Sequence, residues 1–554
     1  MPGGLLNIIS YGSQNIILNG NPSKTFFKCV YSKYTNFGLQ NIRIDFNGQR
    51  TLKLNESSNF TFKIPRNAEL LLDTYLVFNL PDIWSPIKPP SFVGDVWKPY
   101  EFQWIEDIGT NIIENVQISI GGQLIQQFSG EYIKNSVERD FSQSRKQQFY
   151  KMTGNTVELN KPFLAYNRFN KYPNSYYKPS DSISSEPSIR GRKIYVPLPF
   201  WFSHSSKLAL PLAALQYSEV QIDITLRPIR ELFVINDVTK TGPAFTKNKI
   251  QPNFILPDNA MYRFLNQPTD TLLDASTYVD KSTIWDADVN LLATFCFLTG
   301  DEAKVFALNE QKYLIKDIRE TEYLNTTGTS RIKIDSNALV CSWMFFFRRS
   351  DAYLRNQWSN YSNWLYNDEL PNDVINAPGT SNIIFNNQAI GPAYNYKDTL
   401  GNRTASKIFI TPELNSDNLK DILSRMSILF DGQYRETDLD AGVYNYITKY
   451  KMSIGTSNDG LYSYNFTLNT GDHIQPSGAI NLSKFKSIEI EFSTIVPPFD
   501  ANSTSSTICD SAGKVIGVTN KENLYTHTFD LFFTEERYNV LRFIGGSAGL
   551  VYAR

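Results

Sequence analysis

The chain has 554 residues, of which 41% are apolar, 20% charged and 14% aromatic, with a formal net charge of −1. That length exceeds one ordinary core and suits two or three domains, and the composition is that of a globular chain and not a disordered one. A pI near 6.4 and the lack of a basic arm exclude a protein that wraps nucleic acid by charge, because phosphate binding draws on an excess of Lys and Arg.

The opening residues lack a basic start followed by an apolar core and a cleavage site, so no secretory leader is expected. Pro2 stands where a myristoylation signal needs Gly. No uninterrupted apolar run reaches ~18 residues, so no spanning helix is predicted. Residues 1–40 form a predicted N-terminal arm, in which Leu5, Leu6, Ile8, Ile9, Ile16, Ile17 and Leu18 follow neither a helical nor a strand period. So many exposed aliphatics favour docking on a neighbour or on the arm's own base. The arm lacks the basic face that membrane-surface contact would use.

Beyond the arm the chain echoes itself. The first set of landmarks is Ile42 to Asp45, then Lys63-Ile64 with Asn67-Ala68 and an apolar strand through Tyr75, Val77 and Phe78. Ile118-Ser119-Ile120-Gly121-Gly122-Gln123 and Glu219 to Leu226 complete it. The second set keeps the order: Ile315 to Ile318, Lys333-Ile334 with Asn337-Ala338 and Cys341 to Phe347, Ile428 to Gln433, and Ser487 to Phe492. A helix-like piece follows the third landmark in each set, near Glu131 to Glu138 and near Ala441 to Tyr450. Ordered agreement at several landmarks points to a tandem duplication. Asn47-Gly48, Gly121-Gly122 and Asp431-Gly432 read as hairpin turns that need positive φ.

Short alternating strands between turns indicate antiparallel sandwiches, and 37 Phe and 31 Tyr suit rings packing across strands. The predicted fold is all-β: two tandem eight-stranded antiparallel jelly-roll β-sandwiches with long surface loops and short helices. The first spans 41–230, a connector 231–274, and the second 275–554. Extra length falls at about 140–191 and about 350–420, both rich in Asn, Tyr, Ser and Pro and both predicted as surface loops.

Pro197 to Leu226 is the densest stretch. Phe200, Trp201 and Phe202 form an aromatic knot after Pro197 and Pro199, and Pro211 opens the short apolar turn Leu212 to Leu215. Val220, Ile222, Ile224 and Leu226 then alternate with polar residues, as in a half-buried strand. This is a sandwich corner, and Phe200, Trp201 and Phe202 are its predicted structural anchors.

Candidate chemistry is sparse. Cys29, Cys296, Cys341 and Cys509 have neither disulfide-framework nor metal-pair spacing and read as buried thiols. His204, His473 and His527 form no metal motif, and no nucleophile elbow or phosphate loop occurs, so no cofactor or metal is expected. Asp301-Glu302, Glu535-Glu536 and Asp438 with Asp440 could serve a glycosidase only across a sugar cleft, and they read first as solvated surface acids. Among several N-x-S/T sequons, Asn360 and Asn402 sit in the predicted long insert and are the candidate glycosylation positions.

The segment LPFWF followed by LALPLAALQYSEV resembles the major capsid proteins of nucleocytoplasmic large DNA viruses, the algal-virus and mimivirus-like lineages in particular. Gly3 to Phe37 is similar to that family's opening, Asp472-His473 with Gln475 to Gly478 to one of its turns, and Tyr538 to Arg542 to its YNVLR segment. The resemblance implies a double jelly roll that acts as a structural shell subunit and not as an enzyme. It implies pseudo-hexameric homotrimeric capsomers tiling an icosahedral virion, made and assembled in the host cytoplasm. Expected partners are the chain itself, neighbouring capsomers, minor capsid or cement proteins and, through the N-terminal arm, an inner membrane layer, with no direct nucleic acid. The alternative is a carbohydrate-binding or carbohydrate-cleaving double β-sandwich, for which Trp358, Tyr361 and Trp364 are the best aromatic platform.

Overall fold

The computed structural model describes residues 3–552 except 30, 47, 49, 176–185, 240–248, 269–277, 368–381, 386–387, 393–394, 398–402, 406–418, 501–502, 504, 510, 512 and 521–523. Two jelly rolls follow one another in the chain. The first is built from β1 (Phe37–Asp45), β2 (Ser58–Lys63), β3 (Leu70–Leu80), β4 (Ile113–Ile120), β5 (Gln123–Phe128), β6 (Arg192–Pro197), β7 (Val220–Leu226) and β8 (Asn290–Leu298). The second uses β9 (Gln311–Tyr323), β10 (Thr329–Lys333), β11 (Leu339–Arg349), β12 (Leu423–Phe430), β13 (Gln433–Asp440), β14 (Leu461–Asn465), β15 (Ile488–Thr494) and β16 (Phe529–Ile544).

The strand orders repeat. β1-β8-β3-β6 faces β2-β7-β4-β5 in the first jelly roll; β9-β16-β11-β14 faces β10-β15-β12-β13 in the second. All of these pairings are antiparallel. The predicted duplication therefore recurs as topology, with β1, β3, β5 and β8 corresponding to β9, β11, β13 and β16. The turn glycines work as the sequence requires: Gly121, Gly122, Asp431 and Gly432 all have positive φ and close the β4-β5 and β12-β13 hairpins. Asn47-Gly48 closes no hairpin, because β1 pairs with β8 and β2 with β7; Asn47 itself lies outside the described residues.

β7 carries its alternation through to burial, with Val220, Ile222, Ile224 and Leu226 dry and the residues between them half-buried. One apolar core fills the first sandwich around Phe62, Phe78, Ile118, Ile222 and Leu291. A second gathers Trp343, Phe345, Ile428, Ile490 and Phe533.

The boundaries differ from expectation. The first jelly roll does not end near 230, because β8 at 290–298 is the strand between β1 and β3. The expected connector packs into the first core through Leu232, Phe233, Ile235 and Phe264, and residues 275–298 belong to the first unit. The arm stops at residue 36, since Phe37 to Gln40 are already in β1. The extra length at 140–191 is not merely surface loop: it includes a helix, Gln143–Thr153, with Phe149 in the first core. The arm itself holds two short helices, Gly4–Ile9 and Ile16–Asn19, with no buried residue. Among the described residues no helix is long and apolar enough to cross a membrane.

Candidate functional site

The seam between the two jelly rolls gathers more buried polar chemistry than any predicted site residue. Its first side is β5 and the helix that follows it, α1 (Gly130–Asp140). Ser129 caps α1, its hydroxyl oxygen accepting from the Tyr132 amide. The same residue reaches across the seam: its amide and hydroxyl donate to the Glu320 carboxylate on β9 at 2.9 and 2.6 Å. Gln126 on β5 donates to the Lys316 carbonyl at 2.9 Å.

At the centre lies a buried ion pair. Arg139, on the last turn of α1, donates to Glu536 of β16 at 2.9 and 3.1 Å and also holds Asp140. Tyr132 and Ser342 donate to the same Glu536 carboxylate. Burial opposes ionisation of Glu536, yet Arg139, Lys316 and these hydrogen bonds outweigh it and hold the carboxyl below its usual range. At the rim Glu131 pairs with Arg348, and Tyr361 donates to Asn135 at 3.0 Å. The apolar part is continuous with the first core, which takes in Tyr313, Ile315, Ile318, Met344, Leu541 and Phe543 from the second jelly roll.

Beside this network is a cleft of about 280 Å³ whose walls include Tyr132, Arg145, Glu536 and two histidines. His204 comes from the crossing after the aromatic knot, His473 from the loop before β15, and their rings stack with centroids 3.5 Å apart and planes 4° apart. Burial, then Lys316, lowers His204 to about 4 against the opposing pull of Glu536 and Asp140; burial and His204 itself hold His473 well below its usual value. Histidine is near 6.5 when unfolded, so both rings favour the uncharged form in the fold. The stability they contribute is complete above about pH 6.5 and is lost as pH falls toward the folded values. Glu320, raised to about 7 by burial, works in the opposite sense, losing stability as pH rises. The expected result is a thermal midpoint that drops from about pH 7 to about pH 5, and drops less when His204 and His473 are both replaced by Phe. Thermal melts of the two proteins across that range check it; parallel curves would refute it.

Phe200, Trp201 and Phe202 lie in the first core at 0%, 1% and 1% exposure. Phe200 stacks on Phe202 at 5.4 Å and Trp201 meets Phe202 edge-on at 5.1 Å. Asn360 is not on a surface loop. It is buried, its side-chain nitrogen donating to the Trp364 carbonyl at 2.8 Å and its oxygen accepting from Ser362, so the atom that would carry a sugar is engaged. Asn402 lies outside the described residues. The predicted aromatic platform is likewise engaged: Tyr361 stacks on Phe346 at 4.0 Å, and Trp358 sits between Arg227 and Arg348.

Of the acid pairs, Asp301, Asp438 and Asp440 are exposed, whereas Glu535 and Glu536 are buried and take different partners. Glu535 accepts from Ser336 and Trp343 while Glu536 turns to Arg139, so both are buried structural groups and not solvated acids. His527 is buried, with its ring against Thr526 and Asn363. All four cysteines are unpaired, Cys296 and Cys341 buried but Cys29 and Cys509 exposed. No group of three metal-ligating side chains occurs among the described residues. Sequence inspection missed the Arg139–Glu536 pair and the histidine stack because each joins residues hundreds of positions apart.

Two eight-stranded jelly rolls in tandem, sealed by this seam, place the chain in the double jelly-roll class. Residues 25–278 match the family described as major capsid protein N-terminus, and 302–549 the family described as large eukaryotic DNA virus major capsid protein. The chain belongs to the major capsid protein family of large eukaryotic DNA viruses. It is 26% identical to the major capsid protein of Phaeocystis pouchetii virus and 24% identical to that of Paramecium bursaria Chlorella virus 1, each match covering 100% of both chains. Its fold matches a chain of the PBCV-1 virus capsid at TM-score 0.58 and 20% identity, over 96% of this chain and 100% of that one. The Faustovirus major capsid protein matches at TM-score 0.56 and 12% identity, over 93% of this chain and 92% of that one.

Proposed function

We propose that three copies of this chain close head to tail into a pseudo-hexameric capsomer that tiles an icosahedral shell. The observation that carries this is the repeated strand order. A ring of three such chains presents six similar lobes, the shape a near-hexagonal lattice needs, from one polypeptide. The family supplies the role, that of the virion's main coat protein, and the double sandwich supplies a rigid wall. Neighbouring capsomers and minor capsid or cement proteins are its partners. Its place is the virion shell, with assembly in the host cytoplasm.

The exposed arm, with Ile17 85%, Leu18 88% and Phe27 98% exposed, is the segment suited to anchor the capsomer on an inner membrane layer or adjoining proteins. A net charge of −1 supports a shell that holds its genome without direct nucleic-acid contact. The role is structural and not enzymatic, and nothing in the buried aromatic cluster favours the carbohydrate alternative. Light scattering on purified protein is expected to give a stable particle of three times the 63.3 kDa chain. A clean monomer at micromolar concentration would overturn the capsomer.

A further inference from the structure

The first jelly roll carries a bare apolar tip at the end away from the arm. The register fixes which end that is: Phe37 pairs with Leu298, while Asp45 and Val77 both pair with Asn290. The arm therefore joins β1 at one end of the sheet, and the chain that follows β3 leaves from the other. That chain turns back on itself where Ile87–Lys88 pairs antiparallel with Lys98–Pro99. At the turn Phe92 is 53% exposed, Val93 fully, Val96 40% and Trp97 56%.

The tip is built and not frayed. Asp95 turns inward: its carboxylate accepts from the Ser91 amide at 3.1 Å and the Val96 amide at 3.0 Å, and its own amide donates to the Phe92 carbonyl at 3.1 Å. Gly94, at φ +96°, supplies the reversal that a larger residue would make under strain. Lys98 pairs with Asp95 at 3.2 Å and Lys88 with Asp258 at 2.7 Å. Those are the charged residues between Ile87 and Pro99, so the hairpin shows apolar side chains while its charges are answered nearby.

We propose that this tip docks on a lipid bilayer of zwitterionic headgroups, with Phe92, Val93 and Trp97 entering the boundary between headgroups and acyl chains. Clustered exposed apolar side chains mark contact sites, and the form of this cluster selects the partner. Val93 stands wholly clear of the chain, so the tip projects and enters a soft surface without a matching groove. Trp favours the membrane interface, where one part of the ring system is dry and its edge is wet. With each charge paired, the hairpin has nothing with which to select an acidic headgroup, so it matches a neutral surface. Three chains around a three-fold axis present three such tips in one direction, and a fluid surface accepts all three, which multiplies a weak single contact. That multiplicity rests on the capsomer proposed above. The direction, opposite to the arm, makes this membrane one met from outside the shell.

The test is flotation with phosphatidylcholine vesicles. Ile17→Ser with Leu18→Ser is present throughout, so that the arm does not supply the contact, and Val93→Ser with Trp97→Ser is added in a second protein. All four side chains are exposed, so both proteins are expected to keep the wild-type circular dichroism. The tip-intact protein is expected to float and the tip variant to partition at least about tenfold less; added phosphatidylserine is expected to change neither. Trp97 emission, read as the difference between the tip-intact protein and its Trp97→Phe variant, is expected to shift to the blue on vesicles and to be quenched by spin-labelled acyl chains. A tip-intact protein that stays off the vesicles, equal flotation of the two proteins, flotation only with phosphatidylserine, or an unquenched Trp97 would each overturn the proposal. A monomeric native mass would instead remove the capsomer and its multiplicity, while Trp97 quenching still reads the contact of the single chain.

Discussion

Truncating Trp201 to Ala is expected to abolish soluble, assembled protein. The side chain is 1% exposed, packed edge-on against Phe202 and continuous with the core of the first jelly roll. Phe200 extends the cluster to Phe128 on β5, with ring centroids 5.2 Å apart. Replacing a buried aromatic by Ala removes its transfer energy and leaves a cavity, at about 3–5 kcal/mol. Domains are stable by only about 5–15 kcal/mol, so that loss takes a large share of the total. The knot also adjoins the seam, because the Trp201 amide donates to the Gln126 side chain, which itself donates to β9. Trp201→Phe should be milder: it keeps most of the apolar contact, and the indole N–H it removes has no hydrogen-bond partner among the described residues. Soluble yield and thermal midpoint for the two variants provide the measurement. A Trp201→Ala protein that folds and melts like wild type would show that the corner does not hold the sandwich.

Glu536→Ala should be nearly as damaging, for an electrostatic reason. Glu536 and Arg139 are both almost wholly buried, and the carboxylate also accepts from Tyr132 and Ser342. Removing it leaves the guanidinium with Ser342 and with Asp140 as its remaining acidic partner among the described residues, and it deprives the Tyr132 and Ser342 hydroxyls of their acceptor. Breaking one side of a buried pair costs about 3–5 kcal/mol, most of it the penalty on the group left behind. Replacing both partners with apolar residues, Arg139→Met with Glu536→Leu, is therefore expected to recover much of the loss. Because α1 belongs to one jelly roll and β16 to the other, the single variant should loosen the seam before either sandwich melts. Denaturant unfolding of the single and double variants decides this. A single variant as stable as wild type, or a double variant no better than the single, would refute it.

Much of this architecture was legible in the chain because strands and turns are local. β7 shows its buried face in the alternation of Val220, Ile222, Ile224 and Leu226, since side chains along a strand point to opposite faces in turn. Gly121-Gly122 and Asp431-Gly432 announce the two hairpins because tight turns need positive φ. Landmarks built from such local signals survive in order, so the duplication could be read before any coordinates. Which strands become neighbours is not a local property. β8 closes the first jelly roll from beyond the expected connector because its partners, β1 and β3, lie more than two hundred residues earlier, and only the packed core selects them. The same holds for polar groups. Asn360 looks like an exposed sequon and Glu535-Glu536 like surface acids until the second jelly roll folds over them. His204 and His473 carry no metal motif, and only the docking of the two jelly rolls stacks their rings. Periodicity and turn chemistry determined the elements and their repetition; burial and long-range pairing, which depend on residues far away in sequence, decided the boundaries, the seam and the surfaces left bare.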